Sequence, residues 1–213
     1  MRVPRMFTAD EFLRIDPRLP PDLDERRREF WSYVEERISA LGSRLKKIYL
    51  TSMGVPPRKQ LEMLRITDPQ MYEVVLRGVE QGAELVDAEN PELVLETISW
   101  MQQLQHSLSA SESDKAKLET VSQFLAESMR ERDDYLARRI AQTLGDGEVG
   151  LLILDDSRNV SLPWDIRVIT TCPFQPRDYL NSWLAALRLK DREEQSNQGR
   201  ESQKPADGEK GER

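Results

Sequence analysis

Val149-Gly150-Leu151-Leu152-Ile153-Leu154 is an unbroken apolar run set between the turn Gly145-Asp146-Gly147 and a polar cluster. A run this short, closed on both sides by turn residues, has the length of a strand rather than a helix. Because it is apolar on both faces, it belongs inside a parallel sheet whose two sides are covered by helices. Parallel neighbours need crossover connections, and the rest of the chain has segments with the right periodicity to supply them.

Pro21 to Leu41 reads as an amphipathic helix. Leu23, Phe30, Trp31, Val34, Ile38 and Leu41 recur mostly at three- and four-residue spacing, and Gly42 ends it. Lys47-Ile48-Tyr49-Leu50-Thr51 follows as a short strand, closed by Gly54-Val55-Pro56-Pro57, and Pro57 to Leu64 has room for one or two helical turns. Asp68-Pro69 is an N-cap followed by proline in the first turn. The helix it opens turns Tyr72, Val75, Leu76 and Val79 inward and stops at Gly82, before a second short strand from Ala83 to Val86. Asn90-Pro91 repeats the start signal for a helix carrying Leu93, Val94, Thr97, Ile98, Met101 and Leu104. A polar linker, Ser107 to Asp114, leads to a long helix from about Asp114 to Leu144. After the apolar strand come another strand, Ile166 to Thr170, and a closing helix, Arg177 to Leu189. Strands alternating with helices give an α/β domain over residues 1–189, helix-rich, with a mostly parallel sheet flanked by helices.

Beyond it, Lys190 to Arg213 has Ala206 and Pro205 as its only apolar side chains. Such a segment buries too little surface to offset ordering entropy, so residues 190–213 are expected to form a disordered polar tail. The chain's formal net charge is -7 and its pI about 5.0, which argues against nucleic acid as a partner. No apolar run approaches the roughly 18 residues of a membrane-spanning helix. The N-terminal MRVPRMFTADEF lacks the apolar core of a secretory signal, and the single cysteine, Cys172, excludes an internal disulfide. A cytoplasmic protein is the expectation.

The long helix has one informative flaw. Its apolar stripe runs Leu118, Val121, Leu125, Met129, then Leu136, Ile140, Leu144, and the missing step falls at Arg132 and Asp133. A helix packing Met129 and Leu136 against a sheet aims one of these charges inward, where it must be paired. Arg132 is then a ligand contact oriented by a carboxylate, or half of an internal ion pair that only fixes packing; a helix bend that leaves both charges in water is the third option. The apolar strand ends in Asp155-Asp156-Ser157-Arg158-Asn159, and ligands of parallel sheets bind outside the carboxyl ends of the strands. Two adjacent carboxylates there could hold a divalent cation, the candidate cofactor, although Asp-Ser-x-Asn is also ordinary turn chemistry. The Leu-Leu-Ile-Leu-Asp-Asp segment looks like a Walker B strand, but no G-x-x-x-x-G-K-[ST] accompanies it. His106, the only histidine, and Cys172 read as a surface side chain and an incidental thiol. Arg26-Arg27-Arg28 reads as a solvated helix face.

From Glu131 onward the chain reads ERDDYLARRIAQTLGDGEVGLLILDDSRNVSLPWDIRVI. With Lys46 to Leu93, this resembles a prokaryotic family distantly similar to the TraB, ChaN and erythromycin-esterase-like group. The resemblance covers less than half of the chain. It implies that Arg132 matches the group's helix arginine and Glu89 the acidic residue after the second strand. Where the group carries G-A-x-H, this chain has Asp155-Asp156-Ser157-Arg158, and Phe7-Thr8-Ala9-Asp10 stands where a second histidine belongs. Arg158 cannot act as a general base near neutral pH. The expectation is a ligand pocket built from Arg132, Arg158, Asp155, Asp156 and Glu89, catalytically impaired and binding a small anionic ligand or a protein partner. One alternative is a metal-assisted hydrolase in which Asp155, Asp156 and Glu89 hold the cation. The other is an interaction scaffold.

Overall fold

The computed structural model describes residues 1–51, 54–109, 115–156 and 158–201. The chain divides into two compact units, Met1–Phe174 and Gln175–Arg213. The first contains β1 (Arg2–Pro4), α1 (Ala9–Leu13), α2 (Leu23–Leu41), β2 (Leu45–Leu50), α3 (Pro57–Thr67), α4 (Pro69–Glu80), β3 (Glu84–Val86), α5 (Pro91–Ser109), α6 (Lys115–Thr143) and β4 (Val149–Leu154). The second contains α7 (Pro176–Glu201). Helix α7 runs past Lys190, where the polar tail was expected to begin. Residues 202–213 lie outside the described residues, as do Ser157 of the strand-end motif and the last five residues of the expected Ser107 to Asp114 linker.

The four strands among the described residues are all parallel, in the order β1-β4-β2-β3. The apolar strand β4 is therefore internal, as its two apolar faces require. Ile48 is registered with Leu151 and Tyr49 with Leu152. Because side chains alternate across a strand, these two pairs face opposite sides of the sheet. On one side α4 lies against β2 so closely that a Cβ at Gly78 would stand 2.8 Å from Ile48 Cδ1. On the other, Tyr49 and Leu152 pack with Leu136 and Ile140 of α6 and with Val86, Ala88 and Leu154. The Tyr49 hydroxyl, which could not be buried unpaired, is hydrogen-bonded at 2.9 Å to Thr143 Oγ1.

Two elements differ from expectation. β1 was not foreseen, and the strand expected at Ile166 to Thr170 is reduced to a single parallel bridge between Arg2 and Thr170. The Arg2 amide donates to the Ile169 carbonyl at 2.8 Å and the Thr171 amide donates to the Arg2 carbonyl at 2.8 Å. The next residue of β1 on that edge is Pro4, which has no N–H to continue the ladder. The turns expected after Pro57 extend to a full helix ending at Thr67.

Candidate functional site

The carboxyl ends of the four strands bring four polar residues into one region: Arg5 follows β1, Thr51 follows β2, Glu89 follows β3 and Asp155 follows β4. Two charge networks are built on them. In the first, Glu89 is buried, with its side chain 2% exposed. Arg132 of α6 donates to Glu89 Oε2 at 2.5 Å, and Arg158 donates to Glu89 Oε1. Arg158 also donates from Nε to Asp133 Oδ1 at 2.7 Å, and Asp133 Oδ2 accepts from the Asn159 amide at 3.1 Å. Both charges in the gap of the α6 stripe therefore turn inward. Taking four such charges out of water is costly unless each is well hydrogen-bonded. Here the cost is met by pairing, although Arg132 Nε and one Arg158 nitrogen are buried without a partner.

In the second network Arg5 spans two carboxylates. Its Nε donates to Asp155 Oδ1 at 2.6 Å, and its other nitrogens donate to Glu11. Glu11 is held in place by the start of α1: Thr8 and Glu11 form a capping box, in which the Thr8 amide donates to Glu11 Oε2 at 2.7 Å. Burial opposes the charge on Arg5, but Asp155 and Glu11 outweigh it and raise the pKa. Burial would raise the Glu11 carboxyl as well; hydrogen bonds and charge from Arg5, with help from Thr8, bring it below the usual range instead.

Arg27, expected on a solvated face, is buried. It donates to Asp68 Oδ1 at 2.6 Å and to the Phe7 carbonyl, tying α2 to the start of α4 and to the segment before α1. Its neighbour Arg26 does lie at the surface, paired with Asp22 and Glu29. Asp68 also caps α4 by accepting from the Met71 amide at 3.2 Å. Burial pushes its carboxyl above the usual range in spite of Arg27, and its Oδ2 has no partner.

Above these strand ends lies a cavity of about 830 Å³. Arg5, Thr51, Asp68, Arg132 and Asp155 form its polar end. Its walls are mostly apolar: α3 contributes Met63 and Leu64 beside Gln60 and Thr67, α5 contributes Val94, Ile98, Met101, Leu104 and Leu108 beside Gln102 and Gln105, and α6 contributes Leu125. From Val94 to Leu108 helix α5 rises about 20 Å, so the cavity is elongated along it. On α6, Arg132 sits near the sheet and Leu125 two turns away. Inside the α5–α6 pair, buried Thr97 Oγ1 and Ser128 Oγ are hydrogen-bonded at 2.8 Å, which fixes the register of the two walls.

Of the expected site residues, Arg132 and Asp155 line the cavity. Glu89 holds Arg132, and Arg158 in turn holds Glu89. Asp156 lies apart from both networks, near Cys172; burial and the Asp156 charge push that thiol up, so it is not an activated nucleophile. His106 is exposed at the end of α5. The proposed metal set does not assemble: both Glu89 oxygens and Asp155 Oδ1 are bound by guanidinium groups. Among the described residues no group of three or more His, Cys, Asp or Glu is placed to hold a metal ion. No described helix is long and apolar enough to cross a membrane. Arg5, Glu11 and Gln60, all on the cavity wall, were not singled out from the sequence, and Asp68 was read there only as a helix cap. A capping box at Thr8–Glu11 and an N-cap at Asp68 are visible there, but not their second partners. Compared with known proteins, the chain matches no family model, no curated protein and no solved structure.

Proposed function

We propose that the protein is a binding protein for an elongated, amphipathic small molecule, and that it holds this ligand without turning it over. The ligand's polar end meets Arg132 at the strand ends, and its apolar body lies along α3 and α5. The observation that carries this reading is the lining of the cavity, with ion pairs at the sheet and a wall beyond them in which methionine, leucine and isoleucine outnumber the polar side chains. Ligand pockets have this composition, a mostly apolar lining with a few placed polar groups, and this size. The region also lies where open parallel sheets bind ligands. A kinship with TraB- and ChaN-like proteins is part of the proposal: Arg158, at the place of the group's histidine, has the structural task of holding Glu89 and Asp133.

Thermal unfolding in the presence of a twelve-carbon amphiphile tests the reading. At about a hundredfold excess over Kd, a ligand that binds only the folded state adds about 2.7 kcal/mol. For a protein of this size that raises Tm by roughly 5–10 °C. Met101→Glu, at an exposed position of the cavity wall, should abolish the shift while leaving the unliganded Tm within a degree or so. No shift with any amphiphile rejects the proposal, and release of product from an ester probe at a rate lowered by Met101→Glu rejects its non-catalytic part. A second reading, an interaction scaffold, is favoured by Trp164, which is 98% exposed. Trp164→Ser would separate the two, since it leaves amphiphile binding unchanged.

A further inference from the structure

The cavity is polar at its inner end, yet that end has no spare positive charge. Arg5 is matched by Glu11 and Asp155. Arg132 and Arg158 are matched by Glu89 and Asp133, and Arg27 by Asp68. Asp10 and Arg14 at the rim contribute one charge of each sign. The carboxylates therefore outnumber the guanidinium groups by one. An anionic head entering this space would meet a net negative surrounding and would have to displace Asp155 from Arg5 or Glu89 from Arg132. An ammonium head would have to approach Arg132 and Arg5.

The unfilled hydrogen-bonding capacity, by contrast, is of both kinds and is uncharged in sum. Arg132 Nε is a buried donor without a partner. Gln60 and Asp68 also line the cavity and are 3% and 2% exposed; Gln60 Oε1 and Asp68 Oδ2 are buried acceptors without one. Such groups are costly in a folded protein unless something completes them. Gln60 cannot simply turn its amide over, because its nitrogen already donates to the Val55 carbonyl at 2.7 Å.

We propose that the ligand's head is neutral and polar, as a primary amide, a hydroxy ester or a simple alcohol is. Its oxygen accepts from Arg132, which lines the cavity. This rests on the amphiphile reading above and adds the charge of the head. It replaces the small anionic ligand expected from the sequence, where Arg132 and Arg158 were visible but their partners were not.

Isothermal titration with four chain-matched probes, dodecanamide, dodecanol, dodecanoate and dodecylammonium, at pH 7.5, the first two below their solubility limits and the charged pair below their micellar concentrations, tests it. The amide and the alcohol should bind at least about tenfold more tightly than either charged probe. Asp155→Asn removes the excess negative charge and loosens the hold on Arg5. It should improve dodecanoate several-fold. Dodecanoate equal to or tighter than the amide in the unaltered protein overturns the neutral head while leaving the amphiphile reading intact. Unchanged dodecanoate affinity in Asp155→Asn overturns the charge argument. Absence of binding by all four overturns both.

Discussion

Glu89 is the residue on which the polar end of the cavity depends, and replacing it by glutamine is the sharpest perturbation of that end. The side chain is 2% exposed and each oxygen accepts from a different arginine. Glutamine keeps the shape and one acceptor, but it turns an NH2 group toward one of the two guanidinium groups. A donor then faces a donor, and Arg132 and Arg158 are left with Asp133 as the remaining carboxylate of the group. Removing one partner of a buried ion pair costs about 3–5 kcal/mol, because the charge left behind is neither solvated nor paired. That is a large share of the 5–15 kcal/mol or so that holds a typical domain folded. At roughly 2–4 °C per kcal/mol for a chain of this length, Tm should fall by about 6–20 °C. Urea titration followed by circular dichroism measures the loss directly. A quadruple replacement, Glu89→Leu with Arg132→Met, Arg158→Met and Asp133→Asn, should recover much of it, since it also removes the carboxylate that Arg158 pairs and leaves no orphaned charge. A Glu89→Gln loss under about 1 kcal/mol would refute the reasoning, for it would mean that water reaches the network and that Arg132 is not held by it.

Three further outcomes follow from the same structure. Gly54 has φ of 68° and a Cβ there would stand 2.8 Å from Pro91 Cα, so Gly54→Ala should lose about 2–4 kcal/mol in urea unfolding, from backbone strain and a clash with backbone at the start of α5. Thr97→Val should cost about 1–3 kcal/mol in the same assay by leaving the buried Ser128 hydroxyl without its partner, and adding Ser128→Ala should return part of that loss. The Glu11 carboxyl is held below its usual value of 4.5, so its stabilising contribution is complete above that pH and is lost as the pH falls through the lowered value. Glu11→Gln should therefore flatten the acid limb of a stability-versus-pH curve below about pH 5. Asp68, raised by burial, contributes with the opposite sign and steepens nothing in that direction.

The strands and helices that could be read from sequence are those whose signal is local. β4 matches its expected limits because a continuous apolar run between turns leaves little freedom, and α4 and α5 begin where Asp68-Pro69 and Asn90-Pro91 place them. β1 is three residues long and is a strand only because β4, far along the chain, offers it a parallel edge. Arg5 follows β1, so half of the polar end was hidden with it. The gap at Arg132 and Asp133 was legible because helical periodicity makes a missing apolar step conspicuous. Which carboxylates would answer those charges was not, since Glu89 and Arg158 reach Arg132 and Asp133 only through tertiary folding. The same limit explains Arg27: a run of three arginines looks solvated until Asp68 is brought against the middle one.

The central claim is that an amphiphile occupies the cavity between α3, α5 and α6 with its polar end at Arg132. Methyl-resolved NMR during titration with dodecanamide tests it most directly. The account expects saturable shifts at Met63, Ile98, Met101 and Leu125, with the Arg132 Nε resonance moving in step. Shifts confined to residues outside this cavity, or wall methyl groups that remain still while the amide binds, would contradict it.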